Sequence, residues 1–396
     1  MSARHVYLDY AATTPTDERV IDAMLPLLRE KWGNPNSLYR FGREAQAALE
    51  NAREQIARFI GANHPNEIVF TGGGTEADNA AVIGIATRAR PDGGHVVVSA
   101  FEHHAVLEPS RHLEKLGYEV TYLAPRPEGF VHPEDLAAAL RDDTALVSIM
   151  HANNEIGTLQ PVRELAALAH DRGAFFHTDA AQSLGKVPFD VSDLDVDAAS
   201  FSAHKVYGPK GVGALYLKRG TPFAPLLRGG GQESKKRSGT QNVAGAAGFA
   251  KAMEIAAEEL HTKADRLAGL RDRVIQSVTT TIENTEESAT HPDKLPNIAH
   301  LIIKGAEGEA MLLQLDAKGI AVSTGSACSS GSLEPSHVLL SIGCPPELAH
   351  GTLRISVGRF TTAEDVDYLL EVLPPIVAKL REMSPLYAKM FGSSAG

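Results

Sequence analysis

The chain has 396 residues, 43% of them hydrophobic, which is enough for two packed cores. Its net charge of −11 and pI near 5.8, with no basic run longer than Lys235-Lys-Arg237, exclude nucleic-acid binding through a broad positive surface. Two cysteines are too few for a disulfide framework, no apolar run reaches membrane-spanning length, and His5, Asp9 and Tyr10 rule out a signal peptide, so a cytoplasmic protein off the membrane is expected.

Residues 6–15 read as an extended arm ending at Thr14-Pro15, and 16–30 as a helix. Trp32-Gly-Asn-Pro-Asn-Ser37 interrupts with turn formers, and Ser37 suits the cap of the next helix. Ala45, Leu49, Ala52, Ile56 and Phe59 step by three and four, the spacing of an amphipathic helix. A short strand over 67–71 runs into Gly72-Gly-Gly-Thr-Glu76 and an alanine-rich helix. Strands and helices then alternate, with strands at 95–99, 118–123, 145–150, 174–178, 196–201 and 213–217 and helices at 104–116, 133–141 and 161–172.

These strands are continuous apolar runs, as required when helices cover both faces of a mostly parallel sheet. No helix fits between the last two, which allows one of them to run antiparallel. A long helical pattern over 243–278 leads to a smaller C-terminal unit with strand 298–303, helix 307–318, a loop of about twenty residues, strand 353–357 and helix 362–381. The tail 392–396 is expected to be disordered.

Lys205 lies just past a strand end, among Ser202, His204, Tyr207 and several glycines. Most loop lysines are simply solvated. An amine in this cramped polar setting, however, can form an imine with a carbonyl compound when its neighbours lower its pKa. Upstream, Ala174-Phe-Phe-His-Thr-Asp-Ala-Ala-Gln182 delivers Asp179 at another strand end. A lysine for an aldehyde and an acid that keeps a ring nitrogen protonated are the two needs of pyridoxal 5'-phosphate. Gly72-Gly-Gly-Thr75, between a strand and a helix, lets backbone N–H groups approach a phosphate. By itself that stretch is only a glycine turn, matching neither the nucleotide phosphate loop nor the dinucleotide fingerprint.

The pattern His177-Thr-Asp-Ala-Ala-Gln182 followed by Ser202-Ala-His-Lys205 resembles the pyridoxal-phosphate cysteine desulfurases of iron–sulfur cluster assembly, within the class-V aminotransferases. The likeness runs from Tyr7-Leu-Asp-Tyr-Ala-Ala-Thr-Thr-Pro15 to Leu353-Arg-Ile-Ser-Val-Gly-Arg-Phe360, nearly the whole chain. It implies an α/β pyridoxal-phosphate transferase fold. A large domain, 15–255, would hold a mostly parallel mixed seven-stranded sheet, and residues 1–14 and 256–396 a smaller α+β domain with a cysteine-bearing loop at about 322–335.

The resemblance also implies roles. Lys205 would hold the cofactor and move the substrate's α-proton, Asp179 would face the ring nitrogen, and His103 would stack on the ring and shuttle protons. Asn154 and Gln182 would lie by the ring hydroxyl, and Gly74, Thr75, Ser202 and His204 would contact the phosphate. The family usually has serine and alanine where this chain has Gly72 and Gly74, which leaves backbone donation but removes a possible hydroxyl contact. Thr240 matches a residue that reaches a phosphate across a homodimer interface. Arg354, with Asn154 and with Asn34 in support, would bind the carboxylate of L-cysteine.

Cys328, in Ser323-Thr-Gly-Ser-Ala-Cys-Ser-Ser-Gly-Ser-Leu-Glu-Pro335, matches the persulfide carrier of the long-loop branch. Cys344 has no matching motif and reads as structural. The His103-His104 pair lacks a CxxC or HExxH frame, so no metal is expected. The implied activity is conversion of L-cysteine to L-alanine, with sulfur passed to an iron–sulfur scaffold protein, a tRNA-thiolation relay or other acceptors. Rival readings are a selenocysteine lyase or an aminotransferase on the same fold, and a non-catalytic sulfur-relay or regulatory protein.

Overall fold

The computed structural model describes residues 4–324 and 334–391; the expected disorder of 392–396 and the loop position of Cys328 lie outside the described residues. In chain order the strands are β1 (Val6–Tyr7), β2 (Ile68–Thr71), β3 (His95–Ser99), β4 (Glu119–Leu123), β5 (Thr144–Ser148), β6 (Phe175–Asp179), β7 (Ala198–Ser202), β8 (Gly213–Leu217), β9 (Thr285–Glu287), β10 (Ile298–Ile303), β11 (Ile320–Ala321) and β12 (Thr352–Ser356). The helices are α1 (Glu18–Arg29), α2 (Arg40–Phe59), α3 (Gly74–Ala89), α4 (His104–Lys115), α5 (Pro133–Ala139), α6 (Val162–Asp171), α7 (Val191–Leu194), α8 (Val243–Thr281), α9 (Gly308–Asp316), α10 (His337–Ser341), α11 (Pro346–Ala349), α12 (Ala363–Glu382) and α13 (Pro385–Phe391).

Seven strands form one sheet in the order β2-β8-β7-β6-β5-β3-β4. β8 runs antiparallel to both its neighbours, β2 and β7, and the remaining pairings are parallel. β2, β3, β5, β7 and β8 are buried along their whole length, because helices cover both faces. One apolar core holds Leu49, Phe101, Phe176 and Phe249, and a second, centred on α3, holds Val82, Ile85, Val96 and Leu215. The chain leaves β3 outward to β4 and returns across it to β5, so the order reverses between β3 and β5. In open α/β sheets the crevice at the carboxyl ends of the strands beside such a reversal is where ligands bind.

α8, with 39 residues, spans about 58 Å at 1.5 Å per residue. Its second half supplies Leu267, Val274 and Val278 to a separate core with β10, β12 and α12, and the arm contributes Val6 and Leu8. Among the described residues no helix is long and apolar enough to cross a membrane.

Four local expectations change. The helix after the turn begins at Arg40 with Tyr39 as its N-cap and no side-chain cap, so Ser37 does not cap it. Helix 16–30 begins at Glu18, because the Asp17 side chain accepts the Arg19 N–H and caps it. Helix 362–381 begins at Ala363, where Thr362 and Asp365 form a reciprocal capping box. The segment expected as a loop of about twenty residues holds β11, α10 and α11 at its ends. Ile320 pairs with Val6, a partner at the far end of the chain, and α10 buries only Val338 and Leu339, too few to show a period.

Candidate active site

Lys205 and Asp179 line the same cavity, of about 730 Å³, at the carboxyl ends of β6 and β7. β7 ends at Ser202 and a single tight turn, Ala203–Lys205, delivers the lysine. Tyr207 then takes a left-handed backbone (φ 67°), unusual for an aromatic residue. It is held there by its N–H to Thr14 Oγ1 at 2.8 Å and by the Arg359 N–H donating to its hydroxyl at 2.6 Å. Lys205 Nζ donates to the carbonyls of Ala11 (2.6 Å) and Ala12 (2.8 Å), so the N-terminal arm closes one side of the cavity.

Asp179 is buried, and its Oδ1 accepts the Ala181 N–H at 2.8 Å. Burial raises its pKa, opposed by that hydrogen bond and by the Lys205 charge. Beside it lies a carboxyl that sequence reasoning missed. Asp78, one turn after Thr75 on α3, lines the cavity and is held well above the usual carboxylate range by burial and then by Asp179. Like charges this close cannot both ionise without a cation between or beside them. The i, i+3 spacing from Thr75 was the available signal. Behind both, His177 Nδ1 lies 2.8 Å from Ser148 Oγ and its Nε2 2.9 Å from Ser200 Oγ, and burial pushes its pKa down to about 3.

At the start of α3, Gly73 is the N-cap and contributes no side-chain cap. A Cβ on Gly213 of β8 would lie 2.7 Å from the Gly73 backbone carbon, so the turn approaches the sheet as it does only over glycine. A Cβ on Gly74 would meet the Ser202 Cβ at 3.3 Å. Thr75, Ser202 and His204 line the cavity with the turn. One expectation needs correction: the Gly72 N–H is not open to a ligand, since it donates to Glu76 Oε2 at 2.7 Å.

His103 caps α4 by accepting the Ala105 N–H on Nδ1 at 3.1 Å. Burial, and then the Lys205 charge, push its pKa down to about 4. The ring is therefore neutral near pH 7, with Nδ1 occupied as acceptor and the proton on Nε2. Gln182 Nε2 donates to the Ala11 carbonyl at 2.9 Å, while Lys186 Nζ lies 2.7 Å from the Gln182 carbonyl and 3.5 Å from its Oε1. Those contacts set which end of the amide points where.

Arg354, on β12, reaches the cavity with one terminal nitrogen on the Asn154 carbonyl (2.8 Å) and the other on Asp9 Oδ1 (2.9 Å). Asp9 belongs to the N-terminal arm, and its ion pair with Arg354 joins residues from opposite ends of the chain. Among the described residues, Arg354 Nε, Asn154 Oδ1 and Asp78 Oδ1 are buried without a hydrogen-bond partner. Buried polar atoms left unpaired around one cavity call for a polar ligand.

Two expected residues stand elsewhere. Asn34 does not line the cavity; it is exposed and its Oδ1 accepts from Asn36 in a turn. Thr240 is exposed and also off the cavity of its own chain. Cys328 lies outside the described residues, but both flanks of its segment are anchored at the site: Ser323 pairs with Arg354 through backbone bonds of 3.1 and 2.7 Å, and Ser336 Oγ donates to buried Glu155 at 2.5 Å. Cys344 is half-buried beside the main core.

The residues fit pyridoxal 5'-phosphate: an amine and a buried acid in one cavity, an uncapped helix start beside Ser202, and unpaired buried groups beside Arg354. Comparison with known proteins gives the family. The family model described as aminotransferase class-V matches residues 6–369. The protein named cysteine desulfurase IscS of Dictyoglomus turgidum is 53% identical over 96% of this chain and 97% of its own. The one of Methanosarcina thermophila is 50% identical over 98% and 95%. Among solved structures, a NifS-like protein superposes with a TM-score of 0.87 at 38% identity, over 96% of this chain and 99% of its own. A structure titled SspA in complex with cysteine gives 0.79 at 34%, over 90% and 100%. The chain belongs to the class-V aminotransferase family, among relatives that carry the name cysteine desulfurase.

Proposed function

We propose that this protein is a pyridoxal-phosphate-dependent cysteine desulfurase that converts L-cysteine to L-alanine and carries the sulfur as a persulfide on Cys328, for iron–sulfur cluster assembly. The observation that carries the reading is that Lys205, Asp179 and Arg354 line one cavity. When bound, pyridoxal 5'-phosphate supplies an aldehyde that reacts with amines and a ring that withdraws electrons.

Lys205 Nζ would hold the aldehyde and, once freed, would take the proton from the substrate's α-carbon. Asp179, with Oδ1 fixed by the Ala181 N–H, would serve the ring nitrogen as the acid partner that keeps it protonated. His204, Ser202, Thr75 and the Gly74 amide would hold the phosphate, and Gln182 and Asn154, which line the same cavity, would serve the ring hydroxyl. Arg354 binds the substrate carboxylate, with Nε as its unpaired donor. The Cys328 thiolate attacks the substrate sulfur: the S–S bond forms as the C–S bond breaks, and the electron pair stays on carbon, which takes up a proton and leaves as alanine. Cysteine plus the Cys328 thiol thus become alanine plus the persulfide, which passes to a scaffold protein or another acceptor.

The homodimer reading rests on Thr240, which is exposed and off the cavity of its own chain, as is Asn34. Their segments are joined by the Asn36 Nδ2 to Gln241 Oε1 hydrogen bond at 3.0 Å, and Trp32, Leu38 and Phe41 are exposed on the same stretch. A second copy on that face brings Thr240 to the partner's phosphate and covers the apolar side chains.

The deciding experiment is intact mass after exposure to cysteine. One added sulfur atom is expected, lost with reductant and absent from Cys328→Ala; alanine released at the full rate by Cys328→Ser would end the persulfide role. His103→Gln is expected to lower turnover about 10²-fold or more. It should leave the acid limb of the pH profile in place, because the ring is already neutral above about pH 4. A wild-type limb near 6.5 that vanished in the variant would contradict this.

A further inference from the structure

The phosphate turn contains a carboxylate. Glu76 sits in the first turn of α3 and lines the cavity, where its charge competes with any anion drawn to the helix start. Its Oε1 and Oε2 accept from Arg237 Nε (2.8 Å) and a terminal nitrogen (3.2 Å), and Oε2 also accepts the Gly72 N–H at 2.7 Å. Arg237 comes from a segment far along the chain that is unusually constrained. Glu233, Ser234 and Lys235, just before it, have φ of 47°, 56° and 66°, three left-handed residues in a row without a glycine. Backbone in that region persists only where its surroundings impose it.

Those surroundings are visible. The Glu233 carboxylate is buried against Arg53 through bonds of 2.7 and 2.9 Å and accepts the Phe70 N–H at 3.0 Å. Arg53 donates in turn to the Ile68 carbonyl at 2.7 Å. The segment is therefore tied to β2, the strand that runs into the glycine turn, and then again to the turn itself through Glu76.

We propose that Arg237 makes the Gly72–Thr75 turn receptive to phosphate, by neutralising Glu76 and holding it on the Gly72 amide instead of over the anion site. Arg237 is a positioning residue that acts through Glu76, and the Arg53–Glu233 pair sets the turn that presents it. The inference rests on the cofactor reading of the cavity and adds a charge requirement for its phosphate end.

The test uses the full chain stripped of cofactor, as wild type, Arg237→Gln and the double variant Glu76→Gln/Arg237→Gln. Inorganic phosphate, pyridoxal 5'-phosphate and pyridoxal are titrated by thermal shift and absorbance. Arg237→Gln should weaken both phosphate ligands about tenfold at low salt, the scale of one charge at a helix start. The deficit should shrink as salt rises. Pyridoxal, which lacks the phosphate, should bind unchanged. The double variant should recover most of the loss, because the uncompensated carboxylate is gone.

Wild-type phosphate affinity in Arg237→Gln, an equal loss for pyridoxal, or a double variant as weak as the single one would overturn the proposal. If the phosphate series behaves as expected but borohydride fixes no cofactor on Lys205, the cofactor reading falls and the charge requirement stands.

Discussion

Lys205→Ala is expected to lose cysteine turnover by about 10⁴-fold or more, since in the proposed function one amine both anchors the cofactor and moves the α-proton. Its Nζ is set by geometry that the substitution leaves intact. The tight turn after β7, the left-handed Tyr207 and the carbonyls of Ala11 and Ala12 all survive truncation of the side chain. The variant should therefore fold, and its cavity should still admit pyridoxal 5'-phosphate through Thr75, Ser202 and His204. Borohydride treatment followed by intact mass separates the two roles: wild type should retain the mass of the reduced cofactor and Lys205→Ala should not. Turnover in the variant within tenfold of wild type would refute the assignment of Lys205.

Asp179→Asn is the second large effect, with turnover expected to fall about 10²- to 10³-fold, the scale of removing one preorganised charge from a buried site. The amide oxygen can still accept the Ala181 N–H, so what is lost is the negative charge that, in the proposed function, keeps the ring nitrogen protonated. The stripped protein gives an independent check. Burial raises the pKa of Asp179 in the folded state above its unfolded value. Its contribution to stability therefore declines as pH rises from the ordinary carboxylate range through that raised value. Asn carries no such penalty, so stripped Asp179→Asn should melt no lower than wild type at pH 8 while turnover collapses. A variant that melts lower at that pH would mean a structural defect, not a chemical one. Asp78 carries the same sign, raised by burial and by Asp179, which is why a cation opposite Asp179 relieves the pair.

The central strands of the main sheet were legible as short, largely apolar runs and the edge strand β4 by its β-branched and aromatic residues, and helices such as α2 because their apolar residues recur every three or four positions. An antiparallel member of the pair β7 and β8 was legible as an allowed outcome, since too few residues separate them to form a crossover helix; that β8 is the one was not. Lys205 and Asp179 could be singled out because each follows or ends a strand, a local fact, and because their neighbours form recognisable motifs.

Pairing and ionisation were not legible. Ile320 becomes a strand only because Val6 lies beside it, Asp9 meets Arg354 from the other end of the chain, and Arg53 finds Glu233 across the fold. The order of residues alone settled where the long helices and the main-sheet strands lie and which side chains emerge at those strand ends, because those depend on periods of two to four residues, while short elements such as β9, β11 and α10 escaped it. Folding in three dimensions decided that Arg237 meets Glu76, that Asp78 stands beside Asp179 and that His103 is neutral. Burial and the charge of a neighbour set such states, and both come from residues that the linear chain keeps far apart.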